Sequence, residues 1–432
     1  MNEEDSEQMA IALENLGYEP AERLAVADVV LLNTCSVRRK PEDKAFSLLG
    51  ELAAYKSKRP NMIIGVCGCM AQLRSDEIRR RAPIVDFVLG TGDLGAVGGL
   101  VEEAAQNRKF QKRVVLPERK GAVVTDVPSR LLNRPKKIKS FVPIQYGCDK
   151  FCTFCIVPTT RGRERSRPTA EIVAEVAALA HNGTKEVTLL GQTVNSYGKN
   201  LEEGRVPFSR LLEMVAEVPG IERIRYMSPY PRDFRDDLIQ TIAEVPQVME
   251  HIHMPLQSGH DRVLKSMRRL YSTAQFEDLI AKMRDRIPRL TVTTDIIVGF
   301  PGETEEEFEQ TLEFFQKIRF DGAYMFIYSP RPGTPGADME LQVPLLEKKR
   351  RLKALIALQN QITIERNDQW VGKTVEVLVE SRSPRNPEML QGYSREYKMI
   401  HFAGGDELLG QIVSVKTGSA HLWGLAGELV QA

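Results

Sequence analysis

Cysteine is scarce in this chain: six among 432 residues. So few thiols in a chain this long exclude a disulfide framework and favour a reducing compartment, with the cysteines kept for metal. No apolar run approaches 18 residues, so no membrane span is expected. The opening Met1-Asn2-Glu3-Glu4-Asp5 is acidic and polar. That composition is not a signal peptide's, and a cytoplasmic protein is expected. Charge of one sign is also lacking: 59 Lys and Arg face 58 Asp and Glu, a net of +1. Any surface for nucleic acid must then be local. The length exceeds one ordinary core, so several domains are expected.

What is present is Gly147-Cys148-Asp149-Lys150-Phe151-Cys152-Thr153-Phe154-Cys155, after a strand at Phe141–Gln145. Three thiolates at C-x₃-C-x₂-C spacing suit three irons of a 4Fe–4S cubane, leaving the fourth iron to a small molecule. Zinc is the rival, but structural zinc asks for a fourth ligand, and no further Cys or His follows here. Buried free thiols are the remaining reading.

On either side of this loop, strands alternate with helices. Val29–Leu32, Met62–Val66 and Asp86–Leu89 read as strands of a parallel α/β layer. Cys35 and Cys69 follow two of these strands, at the ends where such sheets bind ligands. They form a candidate second metal site. Cys67 is an alternative third ligand, although two thiols in Cys-x-Cys seldom reach separate irons. Residues 106–133 hold basic runs and little periodicity, and read as a linker. From Phe141 to Pro330, six strand–loop–helix units predict an incomplete (βα)₆ barrel with its polar motifs at the C-terminal mouth. His251 and His253 alternate on a strand and read as core or rim histidines. Arg161, Arg163, Arg165 and Arg167 suit either an RNA backbone or structural ion pairs. Beyond a long helix at 345–367, three alternating stretches at 374–380, 398–402 and 410–415 predict a small β-barrel. Its seven Lys and Arg against eight Asp and Glu from Arg366 onward give no electrostatic case for RNA unless one face gathers the charge. Tyr393, Tyr397 and Phe402 are suited to base stacking or to core packing.

Met1–Glu7, Asn33-Thr34-Cys35-Ser36-Val37-Arg38, Gly68–Gln72 and Tyr146–Pro168 together resemble the radical S-adenosylmethionine (SAM) methylthiotransferases. The likeness covers nearly the whole chain. It implies an N-terminal methylthiotransferase domain (1–105), the linker, a radical SAM domain (134–365) and a TRAM-like RNA-binding barrel (366–432). It also implies two 4Fe–4S clusters and SAM. Cys148, Cys152 and Cys155 would hold the catalytic cluster. Gly191, Gln192 and Asn195 would approach SAM's amino acid moiety, Gln257 and Asp295 would line the mouth, and Gly299 would admit the adenine.

In the family, three cysteines hold an auxiliary cluster; two correspond to Cys35 and Cys69. The third lies in a Gly-Cys-Gln segment just before the Met-Asn that is Met1-Asn2 here, so a start codon placed too late is expected. The stretch from Tyr146 resembles the branch that methylthiolates N(6)-dimethylallyladenosine beside the anticodon. In that chemistry a 5′-deoxyadenosyl radical removes the hydrogen at C2 of adenine, and the auxiliary cluster supplies sulfur. Branches acting on threonylcarbamoyl-adenosine or on a ribosomal protein are the alternatives. Implied partners are a tRNA anticodon loop and an electron donor such as flavodoxin or ferredoxin, with the enzyme a monomer.

Overall fold

The computed structural model describes residues 1–36, 39–92, 94–106, 113–116 and 136–430. Its first layer is a parallel sheet, β1 (Val29–Thr34), β2 (Ile63–Gly68), β3 (Phe87–Leu89) and β4 (Arg113–Val115), in that order. Four helices cover it: α1 (Asn2–Glu14), α2 (Arg39–Lys58), α3 (Cys69–Arg81) and α4 (Val97–Gln106). Every residue of β2 is buried, as a strand covered on both faces must be. Strand alternation divides its side chains. Ile64 and Val66 pack with Leu52, Met70 and Ile78, while Ile63 and Cys67 pack with Met9, Phe87, Val97 and Val101. β4 lies inside the stretch expected to be linker; its Val114-Val115 pair adds one more strand beside β3. Apart from Gln106 and Leu116, the rest of that expected linker, including Arg108-Lys109, lies outside the described residues.

The second unit carries β5 (Lys139–Pro143), a two-stranded ribbon of β6 (Gln145–Tyr146) and β7 (Arg165–Ser166), and then β8 (Glu186–Leu190), β9 (Arg223–Tyr226), β10 (His251–His253), β11 (Thr291–Val298) and β12 (Gly322–Ile327). β5, β8 and β9 pair in parallel, as do β10, β11 and β12. Parallel bridges Ile224↔Val248 and Met227↔His253 join the two triplets. The result is an open arc of six parallel strands, the expected incomplete (βα)₆ barrel. Val187, Ile224, Ile252, Val292 and Ile296 fill its core against helices such as Thr169–His181 and Glu305–Ile318.

The helix Leu345–Asp368 leads to a closed barrel of five strands, β13 (Thr374–Ser383), β14 (Asn386–Ser394), β15 (Met399–Ala403), β16 (Ile412–His421) and β17 (Gly424–Leu429). β14 and β17 are absent from the sequence reading because Asn-Pro-Glu and Gly-Leu-Ala-Gly lack clean alternation. This barrel seats on the strand-start end of the arc. Arg223 donates to the Tyr393 carbonyl at 2.7 Å, and Arg225 to Ser394 at 2.7 Å. Tyr397 stacks on His251 at 4.5 Å and on Tyr393 at 4.3 Å. Phe402 is fully buried in the small barrel. Two of the three aromatics considered for RNA thus form an interdomain stack, and the third is core. His251 and His253 are buried and share the Thr293 hydroxyl, each at 3.0 Å.

Candidate active site

β5 delivers the cysteine loop to the C-terminal mouth of the arc. Gly147 turns the chain at φ +74°, where a Cβ would lie 2.1 Å from the Arg163 carbonyl oxygen. Only glycine fits there. The loop is held at several points. Cys148 N–H donates to the Gly162 carbonyl at 3.1 Å, and Cys155 N–H to Cys152 at 3.0 Å. Thr153 donates from its amide to Met267 at 3.1 Å and from its hydroxyl to Ser266 at 2.9 Å.

These bonds bring Cys148, Cys152 and Cys155 within electrostatic reach of one another. Burial pushes the Cys148 thiol up to about 11 and the Cys155 thiol up to about 12, and the neighbouring thiolates add to both. Thiols with such values ionise only against a strong cation, and metal supplies one. Among the described residues, no three His, Cys, Asp or Glu side chains gather closely enough for a single metal ion. A cubane asks for something wider, with each thiolate on its own iron corner, and an all-thiol donor set is the usual one for it. Arg269 completes the setting. Its Nη1 points at Cys152 Sγ from 3.5 Å.

A cavity of about 680 Å³ opens beside the loop, walled by Phe154, Cys155, Ile156, Ile297, Met325 and Tyr328, with Gln257 and Asp295 as polar groups. Its size and largely apolar lining suit a nucleoside-sized ligand. Gln257 takes a left-handed backbone, φ +76°, and its amide bonds the Asp295 carbonyl at 2.9 Å. Asp295 also lies 3.4 Å from His253.

The other residues singled out from sequence do not line this cavity. Asn195 spends both side-chain atoms on the backbone of Tyr230, at 2.9 and 2.7 Å, so it ties two βα loops together. Gly191 packs on Gln145 and Val194, and Gln192 beside it is half-buried. Gly299 has φ +70° and lies against Lys348, where a Cβ would come within 2.4 Å of Cγ. Its amide donates to Glu303 at 2.5 Å.

The second cysteine pair follows from strand register. Thr34 and Gly68 are paired across β1 and β2, so the next residues along, Cys35 and Ser36 on one side and Cys69 on the other, leave the sheet together. Burial raises the Cys69 thiol; Arg161 pulls it back, and Cys35 and Asp5 push it further up. Arg161 is buried, with Nη2 2.5 Å from Asp5 and 3.3 Å from Asn2 Oδ1, and it also hydrogen-bonds Cys69. Burial opposes its charge, yet Asp5 and Cys69 outweigh that and leave its pKa above the ordinary value. Arg161 ends the short helix Val157–Arg161 that follows the cysteine triplet, so the segment leaving one cysteine set carries the side chain that reaches Cys69 of the other. Cys67 faces the other side of the sheet, and burial alone raises its thiol to about 12.

The alternating arginines are therefore divided in role. Arg161 is the strut, and Arg167 is fully buried on Glu175 at 2.7 Å. Arg163 stays exposed, 2.8 Å from Asp149. Sequence reading missed Arg269 and Arg331. The second follows β12, so its place at a strand end was its signal; it lines the cavity and lies 3.4 Å from the buried Glu42 of the N-terminal layer.

Comparison with known proteins adds the relatives. Residues 142–315 match the Radical SAM superfamily, residues 1–90 match Uncharacterized protein family UPF0004, and residues 368–430 match the TRAM domain. A protein of Moorella thermoacetica named tRNA-2-methylthio-N(6)-dimethylallyladenosine synthase is 46% identical over 432 residues, covering 100% of this chain and 96% of that one. This chain belongs to the radical SAM methylthiotransferase family. A second methylthiotransferase relative, of the same name and from Bacillus pumilus, is 46% identical over all of this chain and 84% of its own. Among solved structures, the radical SAM methyltransferase TsrM from Kitasatospora setae, with cobalamin and a [4Fe-4S] cluster bound, aligns with TM-score 0.55 at 13% identity. That alignment covers 89% of this chain and 76% of TsrM, a likeness of fold. As in radical SAM enzymes at large, a 4Fe–4S cluster and SAM are implied for this methylthiotransferase. No helix among the described residues is long and apolar enough to cross a membrane.

Proposed function

We propose that this methylthiotransferase acts on tRNA, converting N(6)-dimethylallyladenosine beside the anticodon into its 2-methylthio derivative. The observation that carries the reading is the cavity beside Cys155, on a loop whose following helix sends Arg161 to Asp5 and Cys69 of the N-terminal layer. Cys148, Cys152 and Cys155 would hold the SAM-binding cluster, and Cys35 and Cys69 would supply two ligands of an auxiliary cluster. When bound and reduced, the first cluster supplies one-electron cleavage of SAM's sulfonium bond, chemistry beyond any side-chain acid or base.

The chain's own residues position and shield. Gln257 and Asp295 offer the polar contacts that orient a nucleoside, and Ile297, Met325 and Tyr328 keep water from it. A target base must be turned out of its stack to enter, which an anticodon loop allows. The C-terminal barrel matches the TRAM domain and sits at the end of the arc opposite the mouth.

Mass spectrometry of tRNA nucleosides from a deletion strain tests the substrate. Unmodified N(6)-dimethylallyladenosine should accumulate, and its failure to do so rejects the tRNA assignment. Anoxic reconstitution with iron and sulfide, followed by assay of 5′-deoxyadenosine, tests the chemistry. The Cys148→Ala/Cys152→Ala/Cys155→Ala variant should release none.

A further inference from the structure

Arg269 is a buried cation with no carboxylate partner among the described residues. Nε donates to the Tyr271 hydroxyl at 2.9 Å, Nη2 to the Pro255 carbonyl at 3.0 Å, and Nη1 to Cys152 Sγ at 3.5 Å. The guanidinium carbon lies 4.6 Å from the Tyr230 ring centroid and 5.1 Å from that of Tyr271. The groups acting on its charge are Tyr271, Cys152 and Tyr230, none of them a carboxylate.

A guanidinium removed from water costs several kcal/mol unless an opposite charge is supplied. Burial raises the Tyr271 hydroxyl to about 12, so it stays neutral at ordinary pH. Pro255 offers only a carbonyl. If the arginine served only to tie the loop after β10 to the helix Asp261–Ser266, an amide side chain would do as well without that cost. Among these described partners, Cys152 is the one that becomes anionic on binding metal.

Backbone geometry aims the side chain there. Arg268 takes φ +55°, and the Arg269 amide folds back to the Leu264 carbonyl at 2.8 Å, ending the helix. The same helix end receives both Thr153 hydrogen bonds from the cysteine loop. The backbones carrying thiol and guanidinium are thus mounted on one junction.

We infer that Arg269 is the counter-charge and hydrogen-bond donor of the cluster held by Cys148, Cys152 and Cys155, and that it raises the reduction potential of that cluster. The inference rests on the proposed reading of the cysteine loop. A three-thiolate cubane is anionic and gains a further negative charge on reduction. A fixed cation and an N–H aimed at one ligand sulfur favour the more negative state, since net charge and hydrogen bonds to sulfur are what set such potentials. Arg269 is on this account a positioning residue: it acts on the metal through Cys152.

The test is an anoxic redox titration followed by electron spin resonance on the full chain loaded with iron and sulfide. A Cys35→Ala/Cys69→Ala background lets the first cluster report alone. Arg269→Met, which removes charge and donor, should lower the reduction equilibrium about tenfold, or about 59 mV for one electron. Arg269→Lys, which keeps the charge but loses the planar fork, should stay within about threefold of the parent. Should Arg269→Met fail to fold by circular dichroism, Arg269→Gln takes its place with the same expected shift. A neutral variant that titrates within about twofold of the parent overturns the inference alone. A parent protein that takes up no cluster overturns the reading of the cysteine loop, and this inference with it.

Discussion

Removing the carboxylate at Asp5 should loosen helix α1 from the barrel. Asp5 and Arg161 form an ion pair at 2.5 Å with side chains 3% and 7% exposed. Asp5→Asn leaves the Arg161 guanidinium buried against a neutral amide and the Cys69 thiol. Breaking one side of a buried pair costs about 3–5 kcal/mol, and each 1.4 kcal/mol is a factor of ten. Amide exchange across α1 should therefore accelerate about a hundredfold or more, read by hydrogen–deuterium exchange and mass spectrometry. Arg161→Met should do the same from the other side. The double variant should exchange more slowly than the two single effects multiplied, because it leaves no lone charge. Rates across α1 within about threefold of wild type in both single variants would refute the pair as the joint between α1 and the barrel.

Three further outcomes are expected. Asp321 is buried, which alone would raise its pKa, but Lys398 and Arg366 hold it below the ordinary 3.8. Its contribution to seating the C-terminal barrel is complete above pH 3.8 and fades as pH falls through the lower folded value. Thermal melts of wild type and Asp321→Asn should therefore differ by more at pH 5 than at pH 2. Asp295→Ala should weaken SAM binding to cluster-loaded protein about tenfold, the scale of a charged hydrogen bond. Asn195→Ala should leave that affinity within about threefold, and equilibrium dialysis showing the reverse would move the SAM site to the loop after β8. Trp423 is 79% exposed at the turn between β16 and β17. If it stacks an RNA base, worth about 1–3 kcal/mol, Trp423→Ala weakens tRNA in filter binding about tenfold, and unchanged binding takes it off the RNA surface.

Local pattern carried much of this protein. The grouping of Cys148, Cys152 and Cys155 is legible because the three are neighbours in the chain. The helix Thr169–His181 and strand Glu186–Leu190 are legible because a periodic apolar face needs only adjacent residues to declare itself. Even the approach of Cys35 to Cys69 was accessible, since parallel strands deliver their C-terminal ends to one edge.

Other residues were decided in space. Asn195 looked like a ligand contact from its place after β8, but Tyr230 offers both an N–H and a carbonyl to its amide. Tyr393 and Tyr397 suited base stacking by residue type, but packing put His251 against Tyr397 and Tyr397 against Tyr393. Arg161 and Asp5 are 156 positions apart, Arg269 and Cys152 are 117. Nothing local marks such pairs, because the energy of a buried charge depends on what the completed fold brings opposite it. Sequence alone determined which stretches form strands, helices and a thiol loop, since those depend on neighbours. Only the tertiary structure decided which arginine faces which sulfur, because burial and counter-charge exist only after the domains have closed on each other.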